Sequence, residues 1–165
     1  MKGALLSVHP THSRHIFAGR KTAELRRRAP SCVSGDVVVV YETAPTMAIV
    51  GLALIGSIEG AHTRDLWRSV ELSACVTKNE YAKYFAGTRM GVAIHLVRPR
   101  SFNKPIRLEE ARRLAPTFCP PQSWCYLDSL PRSLMSKIKS LSGTDLSATS
   151  LSTPAGRRKR PTLSE

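Results

Sequence analysis

Apolar residues along this chain gather in short runs, and the runs change period several times. Ala4 to Val8 has the length and composition of a strand, and His9-Pro10 closes it and opens a helix. Gly19 stands where that helix should end, near residue 18. Residues 21 to 27 read as a strand. Glu24 and Arg26 then project to one side and Leu25 to the other. Gly35-Asp36 marks a turn, and Val37-Val38-Val39-Val40-Tyr41 is a β-branched strand. Ala44-Pro45-Thr46 links it tightly to a strand run from Thr46 to Ile58. Within that run Gly51 and Gly56 predict bends or a close backbone approach.

Helical spacing takes over next. Thr63 to Val70 predicts a helix with Thr63 as its N-cap. Thr77 to Phe85 predicts a second, and Thr77 and Glu80 have the offset of a capping box. Gly91 to Arg98 returns to a strand pattern. Leu108 to Leu114 predicts a short helix, with Glu109 and Glu110 early and Arg112 and Arg113 late, the order the helix dipole favours. Pro120 to Tyr126 is a rigid aromatic loop. Leu130, Leu134, Ile138 and Leu141 recur at helical spacing, so a short helix is expected there. Five or six strands, glycine bends and few helices predict an α+β, mainly β fold. Its expected form is a small, closed or partly closed β-barrel with short flanking helices, closure removing exposed strand edges.

Composition divides the chain. The 165 residues suffice for one domain, expected over residues 1–127, plus a short helix and a tail over 128–165. From Thr144 to Glu165 the chain is Ser/Thr-rich and carries Arg157-Arg158-Lys159-Arg160, a composition that predicts a disordered basic tail. Twenty-five Lys and Arg against 12 Asp and Glu give a net +13. Seven basic and three acidic residues from Asp128 onward account for +4, which leaves +9 on the first 127 residues. That excess favours polyanions, nucleic acid before an acidic membrane. No apolar stretch is long enough to span a bilayer. The apolar run after Met1 is too short for a signal peptide, so a cytoplasmic location is expected. Cys32, Cys75, Cys119 and Cys125 form no Cys-x-x-Cys pair and read as buried or incidental thiols, with no metal or cofactor implied.

The chemistry concentrates in Gly19-Arg20-Lys21-Thr22-Ala23-Glu24-Leu25-Arg26. A glycine permits a sharp turn, and three charged groups then gather at one sheet end. Lys21 is a candidate contact to a phosphate or base acceptor, or a partner of Glu24. Glu24 and Arg26 are candidates for ligand contact or for an ion pair at the barrel end. Arg27 extends the basic run toward phosphate. Tyr41 and Thr43, at a strand end, are candidates for lining the same cleft. Trp124 offers a face for base stacking, or a plug for the barrel. Gln122 and Ser123 offer neutral hydrogen-bonding groups suited to a base edge.

In this order these segments resemble the ASCH family, which adopts a PUA-like barrel. The resemblance rests on Leu5 to Pro10, on His15 to Arg26 with its Gly-x-Lys-x-x-Glu-x-Arg motif, and on Val37 to Thr43 with Ala44-Pro45. It continues through Ile49-Val50-Gly51, Thr77 to Phe85, Gly91 to Ile94 and the Pro121 to Tyr126 loop, about residues 3 to 127 in all. It implies a cleft beside the motif, and binding of RNA or of modified bases. Some small ASCH proteins resemble amidohydrolases that deacylate acetylated cytidine. They retain the motif lysine, matched here by Lys21, but have a threonine where this chain has Glu24. Their further catalytic glutamate is matched most nearly by Glu80. Other family members are metal-dependent ribonucleases.

The expected function is therefore a module that binds nucleic acid, a nucleotide or a modified base at the motif cleft. RNA is favoured over DNA, and a modified nucleoside is a further possible ligand. The alternative is a hydrolase of an acylated nucleoside or of RNA, with Lys21, Glu24 and Glu80 as catalytic candidates.

Overall fold

In a computed structural model that describes residues 1–143, six strands form one curled sheet. In chain order the elements are β1 (Gly3–Val8), α1 (Pro10–Phe17), β2 (Ala23–Arg26), β3 (Val37–Glu42), β4 (Ala48–His62) and α2 (Thr63–Val70). There follow α3 (Lys78–Tyr84), β5 (Met90–Arg107), α4 (Leu108–Leu114), β6 (Trp124–Tyr126), a 3-10 turn (Leu127–Ser129) and α5 (Arg132–Leu141). The expected disordered tail, residues 144–165, lies outside the described residues.

The strand order is β2-β5-β4-β3-β1-β6. β1 runs parallel to β3, and the other pairs are antiparallel. The sheet is a half-barrel, with β2 and β6 as its two edges. Its long axis is the antiparallel β4–β5 pair, whose register shifts at Ile49/Gly51, Leu52/Leu54 and Ile55/Ser57. Such irregularities bend a ladder and raise its twist, which curls the sheet. Gly51 is obligatory for a second reason. A Cβ there would strike the backbone carbonyl of Arg100 and lie 2.7 Å from the Phe17 ring of α1.

Alternation explains the valine run. Val38 and Val40 of β3 pack with Leu6, Ile16 and Ile94 inside the curl. Val37 and Val39 pack on the other face with Leu5, Ile49 and Phe102. Both faces are buried, so the strand reads as continuously apolar. A third cluster joins Leu25 and Ala93 to Leu66 and Val70 of α2 and to Tyr81 and Phe85. The compact unit extends past residue 127, because Leu134 and Ile138 of α5 are fully buried in the cluster of Leu5 and Val39.

Three expectations need revision. β5 continues nine residues beyond Arg98, through Pro99 and Pro105, because Phe102 and Ile106 find buried sites next to α4 and α5. The α2 cap is His62, whose Nδ1 accepts from the Arg64 amide at 3.3 Å, and Thr63 is the first helical residue. Trp124 opens an edge strand. No helix among the described residues is long and apolar enough to cross a membrane.

Candidate functional site

The motif enters the sheet through a tight helix exit. Gly19 adopts φ 71°, and the Lys21 amide donates to the His15 carbonyl at 3.0 Å. The chain then runs straight into β2, whose Leu25 points to the third cluster, while Glu24 and Arg26 point to the opposite face. Lys21, Glu24 and Arg26 are 3%, 6% and 6% exposed. Charged side chains are buried to this degree only when partnered.

The partners are local and specific. Lys21 Nζ donates to the Ala74 carbonyl at 2.6 Å and stands 3.4 Å from Glu24 Oε2. Arg26 Nη2 donates to Glu24 Oε1 and to the Ser7 carbonyl, both at 2.9 Å. Its Nη1 donates to the Ser123 carbonyl at 3.1 Å and to Ser123 Oγ at 3.3 Å. Arg26 therefore straps the edge strand β2 to β1 and to the segment entering β6, across a gap with no backbone ladder. Its terminal nitrogens are engaged within the protein, while its Nε has no hydrogen-bond partner.

These three residues form the floor of a cleft of about 340 Å³. One wall comes from α1 and its N-cap, with His12 and His9. The other comes from α3 and the loop before it, with Val76, Tyr81 and Tyr84. Buried polar atoms without hydrogen bonds remain: Glu24 Oε2, Arg26 Nε and His12 Nδ1. Burial, aided by the nearby Lys21 charge, holds the His12 imidazole below its ordinary pKa, so it is neutral at neutral pH. Burial pushes the Tyr81 phenol up to about 12, and that hydroxyl donates to the Thr63 carbonyl at 2.8 Å. Two cations against one carboxylate leave the floor electropositive.

The remaining candidates scatter. Glu80 lines the cleft, but its carboxylate caps α3. It accepts from the Thr77 amide at 2.7 Å and the Thr77 hydroxyl at 2.8 Å, and those bonds hold it below the usual carboxylate range. Arg27 is exposed and donates twice to the Tyr84 carbonyl, at 2.8 and 2.6 Å, tying β2 to α3. Tyr41 does not line the cleft. Its side chain follows Val37 and Val39 onto the opposite face and is 4% exposed. Thr43 donates its amide to the Val8 carbonyl and stays outside the lining. Ser123 touches Arg26, Gln122 is exposed, and Trp124 donates its indole N–H to the Arg28 carbonyl at 3.0 Å. None of those three lines the cleft. His12 and Tyr84, conversely, escaped the sequence reading. The available signal was the helical offset that sets Tyr84 beside Glu80 and Tyr81 on α3.

Among the described residues no three His, Cys, Asp or Glu side chains gather to hold a metal ion. Lys21 and Glu24 set an ammonium and a carboxylate oxygen side by side, 3.4 Å apart, in the floor of the cleft.

A family model for the ASCH domain matches residues 6–106. An ASCH domain-containing ribonuclease of Zymomonas mobilis is 31% identical over 126 residues, 76% of this chain and 84% of that one. The crystal structure of an ASCH protein from Zymomonas mobilis superimposes with a TM-score of 0.76 at 29% identity. That match covers 84% of this chain and 94% of that one. A Pseudomonas putida protein of 13% identity, with a TM-score of 0.54 over 84% of this chain and 98% of its own, shares the fold alone.

Proposed function

The chain belongs to the ASCH domain family, and from that premise we propose that it binds RNA in a ribonuclease-type role, with the motif cleft receiving one nucleotide. The observation that carries this reading is the cleft floor. A buried ammonium and a buried carboxylate oxygen lie together, and Glu24 Oε2 lacks a hydrogen bond. A base bearing an exocyclic amine donates to Glu24 Oε2, and Lys21 meets the adjacent acceptor or a phosphate. The Zymomonas relative named a ribonuclease supports RNA as the ligand class. Exposed basic residues outside the cleft add attraction for the backbone, and this part of the affinity falls with salt.

His12 is the candidate base of the site. Held neutral, it accepts the proton of a ribose 2′-hydroxyl as that oxygen attacks the neighbouring phosphorus. The P–O5′ bond breaks, the 5′-oxygen takes a proton from solvent, and a 2′,3′-cyclic phosphate remains. Lys21 offsets the charge on the phosphoryl oxygens. The acylated-nucleoside reading has less support. Glu24 replaces the nucleophilic threonine, and the Glu80 carboxylate is engaged as a helix cap.

The test is end-labelled single-stranded RNA and its DNA counterpart, incubated without metal and with magnesium or manganese, beside acetylated cytidine. RNA binding with cleavage that Lys21→Met and His12→Gln both abolish is expected. His12→Gln should retain binding. Hydrolysis of acetylated cytidine with no RNA binding would replace this reading by the amidohydrolase one.

A further inference from the structure

A second hollow adjoins the cleft. On the other side of α3, the α2 and α3 helices frame a groove of about 440 Å³. Its floor is a packed aromatic row. Trp67 and Tyr81 have ring centroids 4.9 Å apart, and Tyr81 and Phe85 4.7 Å. Tyr81 and Phe85 are buried, whereas Trp67 is only half-buried and lines the groove. Around this floor stand three exposed cations, Arg64, Arg68 and Lys78. The groove lining holds no carboxylate among the described residues. Asp65 sits outside it and meets Arg68 at 3.6 Å, with both side chains mostly in solvent. An ion pair that exposed is weak.

Two features bind this groove to the cleft. Tyr81 lines both hollows, so they meet across α3. The α3 helix supplies Glu80, Tyr81 and Tyr84 to the cleft and Lys78, Tyr81 and Ala82 to the groove. A flexible polyanion in the cleft can therefore continue into the groove. An aromatic floor rimmed by cations suits a chain that alternates planar bases with phosphates.

We propose that the α2–α3 groove is a second subsite for the same single-stranded RNA. It takes a nucleotide flanking the one in the cleft, with its base against Trp67 and its phosphates among Arg64, Arg68 and Lys78. This rests on the RNA reading of the cleft. An acidic peptide would satisfy the cations but leave the Trp67 face uncovered.

The experiment uses the full chain and the triple variant Arg64→Gln/Arg68→Gln/Lys78→Gln. These side chains are exposed, so the variant should fold, which circular dichroism checks. Binding to a single-stranded RNA dodecamer and to a ribonucleoside monophosphate, which has no flanking nucleotide, is measured across a salt series. The dodecamer should bind the variant at least tenfold more weakly, while the mononucleotide binds both proteins alike. The log–log salt slope for the dodecamer should shrink by about 2, at roughly 0.7 per phosphate contact to a single strand. Equal dodecamer affinity in both proteins overturns the second subsite, and so does equal loss at both lengths. Polyglutamate that displaces the dodecamer at matched charge would make the groove a site for acidic peptide instead. If the unaltered chain fails to bind either ligand, the cleft reading itself has failed and this inference falls with it.

Discussion

The face of the sheet under α4 and α5 and the seam between β1 and β2 are both buried, yet they are held by opposite means. Under the helices, Val39, Ile49, Phe102, Ile106, Leu134 and Ile138 meet as apolar side chains, and the Lys137–Glu110 ion pair that joins α5 to α4 is part-exposed. At the seam, one arginine and one lysine surround one glutamate, and Arg26 bonds the Ser7 and Ser123 carbonyls where no ladder exists. Apolar contacts are non-directional, so small losses of volume cost in proportion. A buried ion pair is directional and interdependent, so losing one member exposes the full desolvation cost of another. The seam therefore trades tolerance for a charged cluster that lines the cleft.

The largest effect should follow from breaking the strap. Arg26→Met leaves Glu24 buried with a single cation and strips two carbonyls of their donor. A loss of roughly 3–5 kcal/mol in urea unfolding is expected. Arg26→Lys should not restore it, because one ammonium cannot reproduce the planar fork. The triple variant Lys21→Met/Glu24→Leu/Arg26→Met should lose less than the sum of its single variants, since no unpaired charge remains buried. A triple variant that is additively worse would show the strap, not the charge pairing, to be the dominant element.

Lys21→Met comes next. It leaves the Ala74 carbonyl without its 2.6 Å donor and Glu24 with Arg26 alone. A loss of roughly 1–3 kcal/mol is expected, measured by the same unfolding curves. Binding of a trinucleotide should fall with it. On the apolar face, Ile138→Val removes one methylene from a fully buried side chain and should cost about 1 kcal/mol. A larger loss there than at Lys21 would reverse the comparison.

The smallest effect concerns pH. The folded-state pKa of His12 lies below its ordinary 6.5, chiefly through burial. Below pH 6.5 the unfolded chain takes up the proton first, so stability falls as pH drops through the lowered value. Its contribution is fully present above 6.5. Comparing thermal midpoints of the unaltered protein and His12→Gln between pH 7 and pH 5 should show a shallower acid-side decline in the variant. Identical declines would assign that sensitivity to other groups.

Much of this molecule is readable from local pattern. The limits of α4, the C-terminal end of α2, the valine strand and the Thr77–Glu80 capping box depend on residues within a turn or two of each other, and they occur as expected. The shared side of Glu24 and Arg26 follows from strand periodicity alone. Tyr41 shows the boundary. Periodicity groups it with Val37 and Val39, but only the packing of α4 and α5 decides that this face is closed core and not cleft. The second half of β5 was hidden because Pro99, Pro105 and its charged residues describe a loop, until Phe102 and Ile106 meet partners distant in sequence.

The sequence by itself determined the helices, the strand alternation, the basic balance and the cluster of Lys21, Glu24 and Arg26, because each depends on neighbours along the chain or on composition. Only the tertiary structure decided what that cluster faces. Ala74, Ser7 and Ser123 lie 53, 19 and 97 residues from the side chains they bind. Which carbonyl meets Arg26, and which oxygen of Glu24 is left without a hydrogen bond, depends on how the half-barrel curls. Curvature is set by bulges and by helices packed on both faces, and no local pattern encodes those contacts.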